Sequence, residues 1–290
     1  MSKLIDRLRT HKVLVADGAT GTMLQRAGLE PGVAPERWNL ENPQAILELH
    51  QGYVNAGSDL ILTNTFGGTS IRLEREGLSD QAAAINQTAA RLAREVAGDA
   101  VLVVGDIGPT GEMLAPLGTL TYEEIVPVFA AQAQALAAGG VDGILIETMS
   151  DLNEIRAAVE GVRRVSDLPL LTTMSFDTKG RTMMGVKPED AAATMSDLDV
   201  TAMGVNCGRT LTENLTAIQA FREAVPDAWL MAKPNAGLPH TEKGNLVYDV
   251  TPEVMAEYAE RFVDEVGVKI IGGCCGSTPD HIRAVVAAVK

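Results

Sequence analysis

The 290-residue chain is 46% hydrophobic and 21% charged, which supplies a large core and shows no bias toward disorder. Its formal net charge of −14 argues against nucleic acid and against anionic lipid, both of which demand a basic face. No apolar run approaches the roughly 18 residues of a membrane span. The charged start Met1-Ser2-Lys3-Leu4-Ile5-Asp6-Arg7 is not expected to be a signal peptide, so a cytoplasmic enzyme with a small substrate is the expectation.

In chain order, apolar runs at residues 13–16, 60–62, 101–104, 143–146, 168–173, 200–205, 228–232 and 268–271 read as strands. Most are β-branched and nearly continuous, as strands buried on both faces should be. Between them, apolar residues at i, i+3 and i+4 predict helices over 43–55, 81–96, 122–138, 152–165, 213–224 and 252–266. Thr251-Pro252-Glu253 and Thr278-Pro279-Asp280 predict helix starts, each an N-cap threonine followed by proline. Residues 67–77 and 237–245 are the expected long loops or lids. Strands alternating with helices in this way predict a single (β/α)8 TIM-type barrel over residues 1–290. The competing fold, a doubly wound open sheet, offers G-x-G-x-x-G after its first strand; Asp17-Gly18-Ala19-Thr20-Gly21 stands there instead.

Barrel enzymes keep their chemistry at the C-terminal ends of the strands. Those ends carry Asp17, Thr63-Asn64-Thr65, Asp106, Glu147-Thr148, Asn206-Cys207, Lys233-Pro234-Asn235 and Gly273-Cys274-Cys275. All three cysteines fall at this rim, on the sixth and eighth strands. An odd number with two adjacent is a poor disulfide framework, whereas three thiolates with one open position suit a catalytic zinc ion. The plainer reading is three unrelated core cysteines, and their shared placement argues against it. Gly272-Gly273 and Gly276 let the backbone turn both adjacent sulfurs toward one point. Asp17 and Glu147 form an acidic mouth suited to an ammonium group; capping the next helix is their alternative role. Main-chain N–H groups in residues 18–22, beginning with Gly18, are candidates for a substrate carboxylate at a helix start. The amide oxygen of Asn235 is a candidate fourth zinc ligand when substrate is absent, set against an ordinary loop asparagine. Trp38, Phe66 and Phe176 are the aromatic residues placed near the rim, with Trp38 also suited to the core. Met183 and Met184 are expected to pack. His11, His50 and His281 are poor ligand candidates, and His240 is the one to watch. Residues 105–111 are glycine-rich and fit a strand-end turn better than a phosphate cradle.

Gly204-Val205-Asn206-Cys207, together with Ile271-Gly272-Gly273-Cys274-Cys275-Gly276-Ser277-Thr278-Pro279, resembles the homocysteine S-methyltransferase family. Asp17-Gly18-Ala19-Thr20-Gly21-Thr22-Met23, Thr63-Asn64-Thr65-Phe66, Ile146-Glu147-Thr148 and Pro234-Asn235-Ala236-Gly237 fit the same family. Within it the strings are most similar to the homocysteine-binding domain of cobalamin-dependent methionine synthases. The resemblance spans nearly the whole chain and implies a zinc barrel that methylates homocysteine to methionine. It implies zinc on Cys207, Cys274 and Cys275, and the substrate ammonium on Asp17 and Glu147. Full-length enzymes of that branch carry further folate, cobalamin and reactivation modules, and this sequence runs about fifteen residues past Cys275. A split-system subunit, an excised domain and a stand-alone enzyme with another donor all fit that length; the resemblance to the cobalamin-dependent branch implies methylcobalamin on a separate corrinoid protein or module as donor, with a methylfolate-binding subunit as a further partner. S-methylmethionine or betaine as donor, a phosphate-ester barrel enzyme, and a non-catalytic zinc or corrinoid-partner docking module are the alternatives.

Overall fold

Continuous apolar strands pair in parallel around one sheet in the computed structural model, which describes residues 2–242 and 245–290. The chain runs through β1 (Leu14–Val15), β2 (Leu60–Leu62), β3 (Leu102–Ile107), β4 (Gly143–Met149), β5 (Leu170–Met174), β6 (Ala202–Cys207) and β7 (Leu230–Pro234). A small antiparallel hairpin, β8 (His240–Glu242) and β9 (Asn245–Val247), precedes the last barrel strand, β10 (Val268–Ile271), which lies between β7 and β1. The seam between β1 and β2 is closed by separate bonds. Asp59 N donates to Val15 O at 2.7 Å, Val15 N to Asp59 Oδ2 at 2.7 Å, and Leu62 N to Asp17 Oδ2 at 2.7 Å. The helices are α1 (Lys3–Thr10), α2 (Gly21–Arg26), α3 (Trp38–Glu41), α4 (Pro43–Ala56), α5 (Ser70–Glu74), α6 (Ala82–Ala97), α7 (Tyr122–Ala138), α8 (Leu152–Val165), α9 (Pro188–Asp197), α10 (Leu211–Ala224), α11 (Pro252–Asp264) and α12 (Pro279–Val289). This is the (β/α)8 barrel that the strand–helix alternation predicts. Among the described residues no helix is long and apolar enough to cross a membrane.

The barrel interior explains where the chemistry sits. Leu14, Leu60, Leu62, Leu102, Val104, Leu145, Leu171, Ala202, Met231 and Ile270 form one buried cluster, closed from below by Leu4 and Leu8 of α1. Side chains alternate along a strand with period two, so each strand's next inward position lies one layer higher. Two residues beyond these apolar positions come Asp106, Glu147, Thr173 and Lys233. The interior therefore turns from apolar to ionic at the C-terminal ends of its strands.

Two expected loops are partly ordered elements. The segment 67–77 contains α5, capped by Thr69, whose hydroxyl accepts from Arg72 N at 3.3 Å. The segment 237–245 forms β8 and the start of β9, with Lys243 and Gly244 outside the described residues. Helices α1, α2, α3, α5 and α9 are additions to the sequence reading. The expected starts at Thr251 and Thr278 are both present: Thr251 Oγ1 accepts from Val254 N, and Thr278 forms a capping box with His281.

Candidate active site

The three cysteine sulfurs converge, with all ligand atoms within 4.8 Å of one another and Cys207 Sγ 3.0 Å from Cys274 Sγ. Strand alternation alone would not achieve this, because Asn206 already takes the inward position on β6. Cys207 follows it in a left-handed conformation, φ 55°, which turns its side chain toward β10. Such a backbone costs roughly 1–3 kcal/mol for a residue other than glycine and persists only where its surroundings hold it. Here Asn214 Nδ2 and Asn235 N donate to Cys207 O at 2.8 and 3.2 Å. Thr148, also left-handed at φ 61°, is fixed to the same structure, its N–H donating to Asn206 Oδ1 at 3.0 Å. Asn206 Nδ2 donates to Thr148 Oγ1 at 2.6 Å and points toward Cys207 Sγ and Cys274 Sγ at 3.6 and 3.9 Å. Gly276, φ 80°, has the Tyr248 ring packed where a Cβ would stand, so this turn requires glycine for both backbone and space.

Hydrogen bonds from Cys207 and Cys274 hold the Cys275 thiol down to about 4, while Cys274 hydrogen bonding and burial push Cys207 well up. The three thiols titrate as one coupled group. A divalent ion is what allows all three to ionise together. The donor set fits zinc: soft sulfurs, an oriented amide donor beside them, and Asn235 Oδ1, which is buried without a hydrogen-bond partner among the described residues. Asn235 Nδ2 is fixed on Gly208 O at 2.8 Å.

Beside the sulfurs lies a buried ionic group. Lys233 Nζ sits 3.4 Å from Glu147 Oε2 and 3.8 Å from Asp17 Oδ1, all three side chains less than a tenth exposed. Burial raises the Asp17 carboxyl to about 6 against the lowering pull of Lys233. Burial and Glu147 raise Asp106 well above the carboxylate range. Burial opposes the Lys233 charge, but Glu147 and Asp17 outweigh it and hold the ammonium charged. The sequence places Lys233 and Asp106 at strand ends but assigns them no role; a lysine two residues past Met231, inside an apolar run, was the available signal. Tyr248 is another unassigned residue, its hydroxyl pushed up to about 12 by burial and by the nearby sulfurs.

The three cysteines, Asp106, Glu147 and Lys233 line one cavity of about 580 Å³ on the C-terminal face; Asp17 is not among its lining residues but lies 3.8 Å from Lys233. Gly18 and residues 20–22 form another wall, where the first N–H groups of α2 have no partner inside the helix. Ala19 N is taken by Ser277 Oγ at 3.1 Å. Of the aromatic residues expected at the rim, Phe66 lines the cavity. Phe176 is instead 4% exposed, in edge-to-face contact with Phe221, because the end of β5 is covered by α10. Trp38 packs against the main core. Met183 does not pack as expected: it is 64% exposed on the loop after β5. His240 is exposed and faces Asp249 at 3.4 Å, and His281 serves as a cap. The turn after β10 does not offer a phosphate cradle. The N–H groups of Gly273, Cys274, Gly276, Ser277 and Thr278 are bonded to Asp17 O, Pro234 O, Thr22 Oγ1, Cys274 O and His281 Nδ1. Residues 105–111 form a structural turn, with Thr110 N and Oγ1 both donating to Glu154 at 2.8 and 2.7 Å.

A family model described as homocysteine S-methyltransferase matches residues 14–289. The chain belongs to the homocysteine S-methyltransferase family. Methionine synthases from Mycobacterium leprae (strain TN) and Mycobacterium tuberculosis (strain ATCC 25618 / H37Rv) are each 33% identical to it, over 96% and 99% of this chain. The chain spans about a quarter of the length of these relatives, 24% and 25%. The homocysteine methyltransferase MmuM from Escherichia coli, in its metallated form, matches with a TM-score of 0.82 at 24% identity, over 97% of this chain and 98% of that one. At that identity the likeness bears on the fold.

Proposed function

We propose that this chain methylates the sulfur of homocysteine to give methionine, with zinc held by Cys207, Cys274 and Cys275. The carrying observation is the convergence of three sulfurs within 4.8 Å in one cavity with Glu147 and Lys233, against which Asp17 is packed, in a member of this family. Zinc supplies the charge that keeps an added thiol ionised at neutral pH. The protein's own groups position and polarise. Asn206 Nδ2 points a donor at the sulfur cluster, which stabilises its negative charge. Asp17 and Glu147 take the substrate ammonium, and Gly18 with the N–H groups at the start of α2 faces its carboxylate. The orphaned Asn235 Oδ1 is the protein ligand available to the metal when substrate is absent.

The donor that fits best is a methylcorrinoid, methylcobalamin carried on a separate protein or module and recharged by a methylfolate-binding partner. Exposed Leu40, Met113, Leu117, Met183 and Leu238 all stand on segments that follow barrel strands, so they ring the cavity face. Apolar groups in that position suit a bulky partner at the mouth. A methylated cation such as S-methylmethionine or betaine calls for open aromatic faces. Phe66 does not offer one, because the Arg72 guanidinium lies 4.9 Å from its ring centroid. Zinc analysis and homocysteine calorimetry test the site together. One zinc per chain and saturable homocysteine binding are expected, both lost in Cys207→Ser. Full retention of zinc and binding in that variant refutes the assignment.

A further inference from the structure

Lys233 is the buried charge for which methyl transfer, as set out above, has no use. It occupies the inward position of β7 at 2% exposure and lies within 3.8 Å of Asp17 and Glu147, the pair assigned to the substrate ammonium. Among the described residues Asp17 Oδ1 has no hydrogen-bond donor, and its partner is this ammonium at ion-pair distance. Asp106 lines the same cavity, and its Oδ1 is buried without a partner. A lysine ammonium carries three donors and no acceptor; Asp17 and Glu147 lie within ion-pair distance of this one, and Asp106 is a third carboxyl near enough to feel its charge. Two ammonium ions cannot share the Asp17–Glu147 pair without repulsion, so a second one requires Lys233 to find another carboxyl, and Asp106 is the one within its electrostatic reach.

We propose that Lys233 is an internal stand-in for the substrate's ammonium: it holds Asp17 and Glu147 before substrate binds and passes to Asp106 when an amino acid enters. Lys233 thereby sets how strongly the pocket selects for an α-ammonium. Homocysteine must move it. A mercapto acid without the amino group, such as 4-mercaptobutyrate, leaves it in place and keeps the pocket neutralised. The ligand class admitted beside homocysteine is thus the short ω-mercapto carboxylates. This inference rests on the homocysteine reading above.

Calorimetry of the zinc-loaded protein with homocysteine and with 4-mercaptobutyrate provides the test, read as the ratio of the two dissociation constants. The wild type is expected to bind both within a few-fold. Lys233→Met is expected to tighten homocysteine roughly tenfold, the scale of one charge-assisted hydrogen bond, without tightening 4-mercaptobutyrate. Asp106→Asn, nearly isosteric, is expected to weaken homocysteine several-fold and leave 4-mercaptobutyrate unchanged. A structural lysine would shift both thiols in parallel, and an unmoved ratio in the two variants overturns the proposal. Should Lys233→Met fail to fold, Asp106→Asn alone decides by the same ratio. A wild type that binds neither thiol overturns the homocysteine reading and this inference with it; one that binds both with parallel shifts overturns this inference alone.

Discussion

Asn206→Ala is expected to cost about 2–6 kcal/mol of stability and to loosen the metal site at the same time. Asn206 is fully buried, and its Oδ1 accepts from Thr148 N at 3.0 Å and Thr173 Oγ1 at 2.8 Å. Alanine leaves both donors inside the barrel without an acceptor, and each orphaned group costs roughly 1–3 kcal/mol. Loss of the Nδ2 donor also frees Thr148 and removes the amide aimed at the two sulfurs. The left-handed backbone at Thr148 then loses a bond that holds it, and the adjacent Cys207 turn loses its neighbour. Urea unfolding of metal-free protein reads the first effect, and competition for zinc with a chromophoric chelator reads the second. A stability change within about 0.5 kcal/mol, the range of an unremarkable surface substitution, together with unaltered zinc affinity, would refute the idea that this amide pins the cluster.

Asp17→Asn and Glu147→Gln are each expected to weaken homocysteine by roughly ten- to a hundredfold while zinc content stays unchanged; calorimetry beside metal analysis checks this, and wild-type affinity in both places the ammonium elsewhere. Burial raises the Asp17 carboxyl to about 6, and only its ionised form attracts an ammonium. Homocysteine affinity should therefore rise from about pH 5 to about pH 7, and a flat profile would count against Asp17. The same shift has the opposite sign for stability: with the folded value above the ordinary 3.8, Asp17 favours the folded state at low pH and loses that contribution as pH rises through about 6, a slope that Asp17→Asn should remove. Metal-free protein at about pH 6 should be alkylated by iodoacetamide at Cys275 before Cys207 and Cys274, because hydrogen bonds hold the Cys275 thiol down to about 4. Zinc is expected to protect all three, and peptide mass mapping would expose any other order.

The barrel is legible in the sequence because its strands are buried on both faces and so read as unbroken apolar runs. Short helices carry no such signal: α2, α3 and α5 are too brief for a 3.6-residue period to repeat. Helix α9 has three alanines and one methionine as its apolar content after the opening proline, and its buried Ala191, Ala192 and Met195 give a faint stripe. Helix α1 did carry a cue, Leu4 and Leu8 one turn apart, but its role as the floor of the barrel depends on closure of the sheet. At the site, the cysteines and Asp17 and Glu147 announce themselves by residue type at strand ends. Their convergence does not, since it depends on the left-handed turn at Cys207. Lys233 and Asp106 become informative once the inward alternation is followed up from Met231 and Val104. Tyr248 reaches Gly276 from across the hairpin, a tertiary contact that no local pattern encodes.

Methionine formation is the most direct measurement. Zinc-loaded protein is incubated with homocysteine and, separately, methylcobalamin with and without a corrinoid protein, S-methylmethionine, betaine and methylfolate, and methionine is quantified by mass spectrometry. The expected result is methionine from methylcobalamin, faster with the corrinoid protein and absent in Cys207→Ser. Equal or faster turnover with S-methylmethionine would contradict the donor, and no methionine from any donor by a fully zinc-loaded protein would contradict homocysteine methylation itself.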